Sequence, residues 1–195
     1  MKKSMIGVFV LLASIGPAGS QQGASPERLL IDDFAGELSA LGTVWEGFTD
    51  RVMGGVSDID VRLEPEEGGT ALHMSGRVSL ENNGGFIQVR IFLRPDKQPF
   101  DAGAYRGIEL RVRGRGDGYY MHLRTPRTVF PWAFYGQRLP VREDWSVVRL
   151  PFEEFRSENM IASVLNPRRL VTIGIAAAKQ EFLADLYVDS VAFYR

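Results

Sequence analysis

From Leu29 onward, apolar or alternating runs recur about every 8 to 12 residues, cut apart by clusters of Gly, Asn, Asp and Pro. A helical fold needs the 3.6-residue apolar period held for about three turns, and no stretch holds it. The rhythm predicts strands over 29–34, 44–48, 59–63, 71–80, 86–93, 108–112, 119–123, 129–139, 146–150, 170–177 and 182–194. Several alternate with period two: Ile108, Leu110 and Val112 face one way, Glu109 and Arg111 the other. Only 153–160, after Pro151, has room for a short helical turn. No repeat or linker interrupts the chain after Gln22, so the expectation is all-β, one domain over 29–195 made of two packed antiparallel sheets.

What precedes the domain looks like an address. Lys2 and Lys3 lead an apolar run over 5–15, and Pro17-Ala18-Gly19-Ser20 offers small residues for a cut near Ser20. That is the layout of a secretory signal over 1–20, followed by a polar lead-in over 21–28. The run is about half the ~20 residues of a spanning helix, so no permanent membrane anchor is expected. The implied location is exported, in a periplasm.

Composition then removes chemistry. With no Cys there are no disulfides, thiolate metal sites or cysteine nucleophile, and two histidines leave little for imidazole catalysis. Of 23 basic residues 19 are Arg, but without Lys2 and Lys3 the remainder carries 21 basic against 24 acidic residues. No field for nucleic acid exists in that balance. Neither a nucleophile elbow nor a paired-carboxylate signature is present, so no catalytic residue, no cofactor and no enzyme activity are expected.

Four segments remain as candidates. Asp50-Arg51-Val52-Met53-Gly54-Gly55-Val56-Ser57 joins a charged pair to two glycines. It reads either as a bulge or bend with Arg51 on an acid, or as backbone N–H groups open to an anion. Leu80-Glu81-Asn82-Asn83-Gly84-Gly85-Phe86 reads as a tight turn, or as amides and a carboxylate lining a polar pocket with Asp50 and Arg51. Arg115-Gly116-Asp117-Gly118 leads into a strand, not a helix, so it predicts a hairpin turn and no dinucleotide cradle. Phe130-Pro131-Trp132-Ala133-Phe134-Tyr135 is dense enough for a stacking platform; Trp132 and Tyr135 fit that use or the core equally, whereas Trp45, Trp145 and most phenylalanines are expected inside. His73 and His122 read as half-exposed strand residues. A weaker possibility is calcium held by Asp32, Asp33, Asp185 and Asp189, with Asp33 and Asp189 foremost, if the terminal strands meet.

These motifs together resemble the complex I intermediate-associated protein family, the thirty-kilodalton assembly factor. The resemblance rests on Trp45 and 49–57, on Ser75-Gly76-Arg77-Val78-Ser79 running into Glu81-Asn82-Asn83-Gly84-Gly85-Phe86, and on Tyr105-Arg106-Gly107-Ile108. It continues through Trp145-Ser146-Val147-Val148, Pro151-Phe152-Glu153-Glu154-Phe155 and Lys179-Gln180-Glu181-Phe182. The resemblance implies a jelly-roll sandwich of the galactose-binding type and a non-catalytic role in binding or assembling proteins, in the best-known members the respiratory NADH dehydrogenase. It carries over no catalytic residue. Ile87-Gln88 replaces the small residues usual after Gly-Gly-Phe, and an export signal does not suit an assembly factor of the matrix or cytoplasmic side. The expected partner is therefore a protein of unknown identity, with a glycan as the alternative, bound through the loop pocket and exposed aromatics.

Overall fold

The computed structural model describes residues 27–195; the expected signal over 1–20 and most of the lead-in lie outside them. Twelve strands appear in chain order: β1 Arg28–Asp32, β2 Trp45–Thr49, β3 Asp60–Glu66, β4 Gly69–Val78, β5 Phe86–Phe92 and β6 Gly107–Arg115. They continue as β7 Tyr119–Arg124, β8 Phe134–Arg138, β9 Ser146–Pro151, β10 Arg156–Glu158, β11 Thr172–Ala178 and β12 Phe182–Tyr194. The first sheet runs β3-β4-β12-β6-β9 with β1 also on β12, and the second runs β10-β8-β7-β11-β5-β2. Every pairing is antiparallel. This is the two-sheet jelly-roll sandwich that the spacing and the resemblance predict.

Alternation builds the core. Ile87, Val89 and Ile91 of β5, with Ile173 and Ile175 of β11, face Leu110, Val112, Leu186 and Val188 from the opposite sheet, all with negligible exposure. Each such side chain contributes roughly 1.5–3 kcal/mol by leaving water. The terminal strands do meet, but a bulge between Val188 and Ser190 turns Asp189 onto Arg111 at 3.0 Å. Asp33 lies exposed and, among the described residues, accepts only from the Ala35 N–H. Neither carboxylate serves the calcium arrangement considered above, and no group of three or more metal-ligating side chains occurs among the described residues.

Four local expectations change. The strand expected over 129–139 shortens to β8, because Arg124 collects the carbonyls of Thr128, Phe130 and Pro131 into a loop. The turn at Arg115–Gly118 is no hairpin: β6 belongs to the first sheet and β7 to the second, so it is a corner of the sandwich. The helical turn near 153–160 is a 3-10 turn, Phe152–Glu154, followed by strand β10. Trp145 is also not core; it lies half-buried beneath Arg111 and Arg113, 4.6 and 5.3 Å from its ring centroid.

Candidate functional site

The two glycine loops are brought together, but as a clamp and not as a pocket. Asp50 opens a 3-10 turn, Asp50–Met53, and is 0% exposed. Its carboxylate accepts from Ser57 N at 3.0 Å, Ser57 Oγ at 2.5 Å, Gly85 N at 2.6 Å and Phe86 N at 3.2 Å. Burial pulls its pKa upward, yet these donors outweigh it and hold the pKa below the usual value. A Cβ on Gly55 or Gly84 would run into that carboxylate, while their partners Gly54 and Gly85 hold φ of 94° and 131°, so both loops carry paired glycines. Arg51 is exposed and donates Nε to Ser57 O at 2.9 Å. Glu81, Asn82 and Asn83 point to solvent, the two asparagines holding φ of 55° and 58°. The Asp-Arg and Asn-Asn loops are thus a structural joint between β2 and β5.

The aromatic pair separates in the same way. Tyr135 is 0% exposed in the core, its hydroxyl 2.8 Å from Ser163 Oγ. Trp132 is 51% exposed, stacked on Phe130 at 5.4 Å between ring centroids. Their loop lies at the end of the second sheet opposite the Asp50 clamp, and Asn159 Nδ2 bonds the Trp132 carbonyl at 3.1 Å.

Beside that loop the outer face of the second sheet forms a built surface that no sequence motif marks. Its central strand β11 turns only Thr172, Gly174, Ala176 and Ala178 outward, a low floor. Taller side chains flank it: Phe86, Gln88, Arg90 and Phe92 from β5, and Tyr120, His122 and Arg124 from β7. A Cβ on Gly174 would collide with the Gln88 amide, which lies across that position. Gln88 Oε1 meets His122 Nδ1 at 3.1 Å, and the His122 ring stacks on Phe134 at 3.8 Å. Lys179 bonds Glu158 at 2.8 Å and sits 4.6 Å from the Tyr120 ring centroid. Arg90 lies 5.1 and 5.2 Å from the Phe48 and Phe92 centroids and pairs with Glu46 at 2.7 Å.

Two polar atoms on this face are buried from solvent and have no partner among the described residues: Arg90 Nε and His122 Nε2. They stand on either side of Gly174, in one row across the sheet. His122 is 8% exposed, and burial, helped by the Lys179 charge, pushes its pKa down to about 3. The ring is therefore neutral at ordinary pH; with Nδ1–H donating to Gln88, Nε2 is a free acceptor. Folding keeps His122 from binding a proton that the unfolded chain takes up near pH 6.5, so stability must fall as pH drops from about 6.5 toward about 3. The slope approaches about 1.4 kcal/mol per pH unit. Denaturant titrations at pH 7, 6 and 5 should show it, and His122→Gln should flatten it; equal slopes in both proteins would refute the assignment.

The described residues also hold two shallow depressions. One of about 230 Å³ adjoins the outer face at its β2 edge, lined by Val44, Glu46, Phe92 and Lys97. The other, about 530 Å³, opens on the sandwich flank between Gln137, Arg138, Arg149 and Glu154.

Among solved structures the chain is similar to a family 11 carbohydrate-binding module from Clostridium thermocellum in complex with a β-1,3-1,4-mixed-linked tetrasaccharide. The TM-score is 0.67 at 13% identity, over 86% of this chain and 95% of that one. The family 11 module of the cellulosomal cellulase Lic26A-Cel5E from the same organism gives 0.68 at 15% identity, over 86% and 94%. A family 30 carbohydrate-binding module gives 0.53 at 13% identity, over 86% and 88%. At these identities the likeness concerns the fold alone. No curated protein matches the chain in sequence. The family model of Complex I intermediate-associated protein 30 matches residues 33–187, from just after β1 to the middle of β12, and the chain belongs to that family.

Proposed function

We propose that this protein is a non-catalytic binding domain that holds a carbohydrate on the outer face of its second sheet. One observation carries the reading: a buried acceptor, His122 Nε2, and a buried donor, Arg90 Nε, both without a partner among the described residues, flank the Gly174 floor among aromatic rings, and a ligand that displaces the side chains over them would satisfy both. Sugar hydroxyls both donate and accept, and sugar C–H faces pack on rings, so one hexose answers both demands. The fold shared with carbohydrate-binding modules supports this choice without deciding it. A glycan array probed with the whole protein should give reproducible binding. His122→Ala and Trp132→Ala should each weaken it by about tenfold, since losing one good contact costs about 1.4 kcal/mol. An array with no signal above background would sink the proposal.

A second reading has its own support. Val129, Phe130, Ile161 and Val164 are exposed on the neighbouring β7–β8 and β10–β11 loops, an apolar edge that suits a protein partner in an assembly. Crosslinking in the native cell envelope tests it; recovery of no reproducible partner counts against it. The leader over 1–20 supports export to a periplasm, which fractionation would test.

A further inference from the structure

Charge is distributed unequally between the two outer faces. On the first sheet the cations are matched by acids: Arg28 and Arg149 on Glu109, Arg111 on Asp189, Arg113 on Glu66. His73 sits between Glu64 and Asp185 on the same face. On the second sheet the outward strand positions carry Arg90, Arg124, Arg138 and Arg156 against Glu46 and Glu158, and of these Arg138 pairs with Asp117 at 3.0 Å. Arg124 and Arg156 there bond only carbonyl and hydroxyl oxygens among the described residues. The whole chain has a net charge of −1, so this surplus of positive charge is local to the face.

The surplus centres on two guanidiniums. Arg90 is opposite Gly174 from one side of β11, and Arg124 is opposite Thr172 from the other. Two strand spacings, about 10 Å, and a two-residue offset of about 7 Å along the strands put their backbones about 12 Å apart, a gap that two long side chains can span around one small anion. Arg90 is held between two phenylalanine rings with Nε buried and Nη1 making no bond among the described residues, while Arg124 is fixed by the loop oxygens with one Nη1 hydrogen left over. The groups feel each other: burial first, and then the Arg90 charge, keep the Arg124 pKa below its usual value. A preorganised pair of this kind matches a planar carboxylate, with which guanidinium forms charge-assisted bonds.

We propose that the ligand of this face is an acidic carbohydrate, a uronate, whose carboxylate is taken between Arg90 and Arg124 while its hydroxyls meet His122 and Gln88. This rests on the carbohydrate reading above and narrows it. Titration calorimetry should compare polygalacturonate, neutral mixed-linkage β-glucan and polyglutamate with the whole protein at low and at 0.5 M salt. The expected result is binding of polygalacturonate, weakened about tenfold by salt and about tenfold by Arg90→Gln, with Arg90→Lys between the two. Each variant's melting temperature, unchanged within about 2 °C, separates lost contacts from lost folding. Binding of the β-glucan without polygalacturonate overturns the acidic ligand but leaves the carbohydrate reading intact. Equal binding of polyglutamate overturns sugar recognition in favour of plain polyanion attraction. Binding of none overturns the uronate, while the glycan array decides the carbohydrate reading.

Discussion

Asp50→Ala should lower the melting temperature by roughly 6 to 20 °C. The carboxylate is out of contact with water and accepts four hydrogen bonds from Ser57, Gly85 and Phe86. Alanine strands those N–H donors in the interior, and breaking a buried charged network costs about 3–5 kcal/mol. Asp50→Asn keeps one acceptor oxygen but turns an NH2 toward donors, so its loss should fall between wild type and alanine. Because the folded pKa is depressed, Asp50 contributes in full above the unfolded carboxyl pKa, and that contribution goes as pH falls through the folded one. The variant and wild type should accordingly converge in strongly acidic solution. Differential scanning calorimetry at pH 7 checks the main effect; a shift below about 2 °C would mean that the joint is not what holds β2 to β5.

Tyr135→Ala and Trp132→Ala, three residues apart, should behave as opposites. Tyr135 fills core volume on the inner face of β8, so truncation leaves a cavity and costs about 3–5 kcal/mol. Tyr135→Phe removes only the hydroxyl contact to Ser163 and should cost about 1 kcal/mol. Trp132 is half-exposed on its loop, so its alanine variant should stay within about 0.5 kcal/mol in stability while losing ligand. Urea unfolding read alongside binding separates the two residues. Equal destabilisation by both would contradict the placement of the loop.

Much of the fold is legible in sequence because strand burial is written in period two. Phe86-Ile87-Gln88-Val89-Arg90-Ile91-Phe92 states its inner face plainly through Ile87, Val89 and Ile91. The same seven residues also state the candidate site, since Phe, Gln and Arg on an outward face are a surface made for contact. That signal is easily passed over because large rings are first assigned to cores, and Phe48, Phe86 and Phe92 are spent on the outer face instead. The loop motif misleads for a related reason. Asp50 and the paired glycines look like ligand-binding chemistry, but the carboxylate finds its donors within the chain. The convergence of Arg90, His122 and Arg124 is not legible at all, because it depends on β11 lying between β5 and β7. Sequence separations of more than thirty residues hide that adjacency, and only the register reveals it.

The position of β12 sets the order in which such a chain can mature. This strand of 13 residues is the last of the domain in sequence order, yet it lies between β4 and β6 and also receives β1. Until it arrives, the first sheet exists as separate hairpins with open edges, and the second sheet has nothing to close against. Contacts between residues 28 and 194 join the two ends of the domain, which places this among slowly folding topologies. A chain leaving a ribosome must therefore keep the apolar faces of these strands uncovered until β12 is free. Truncation within 182–194 should leave an aggregating polypeptide and not a smaller domain.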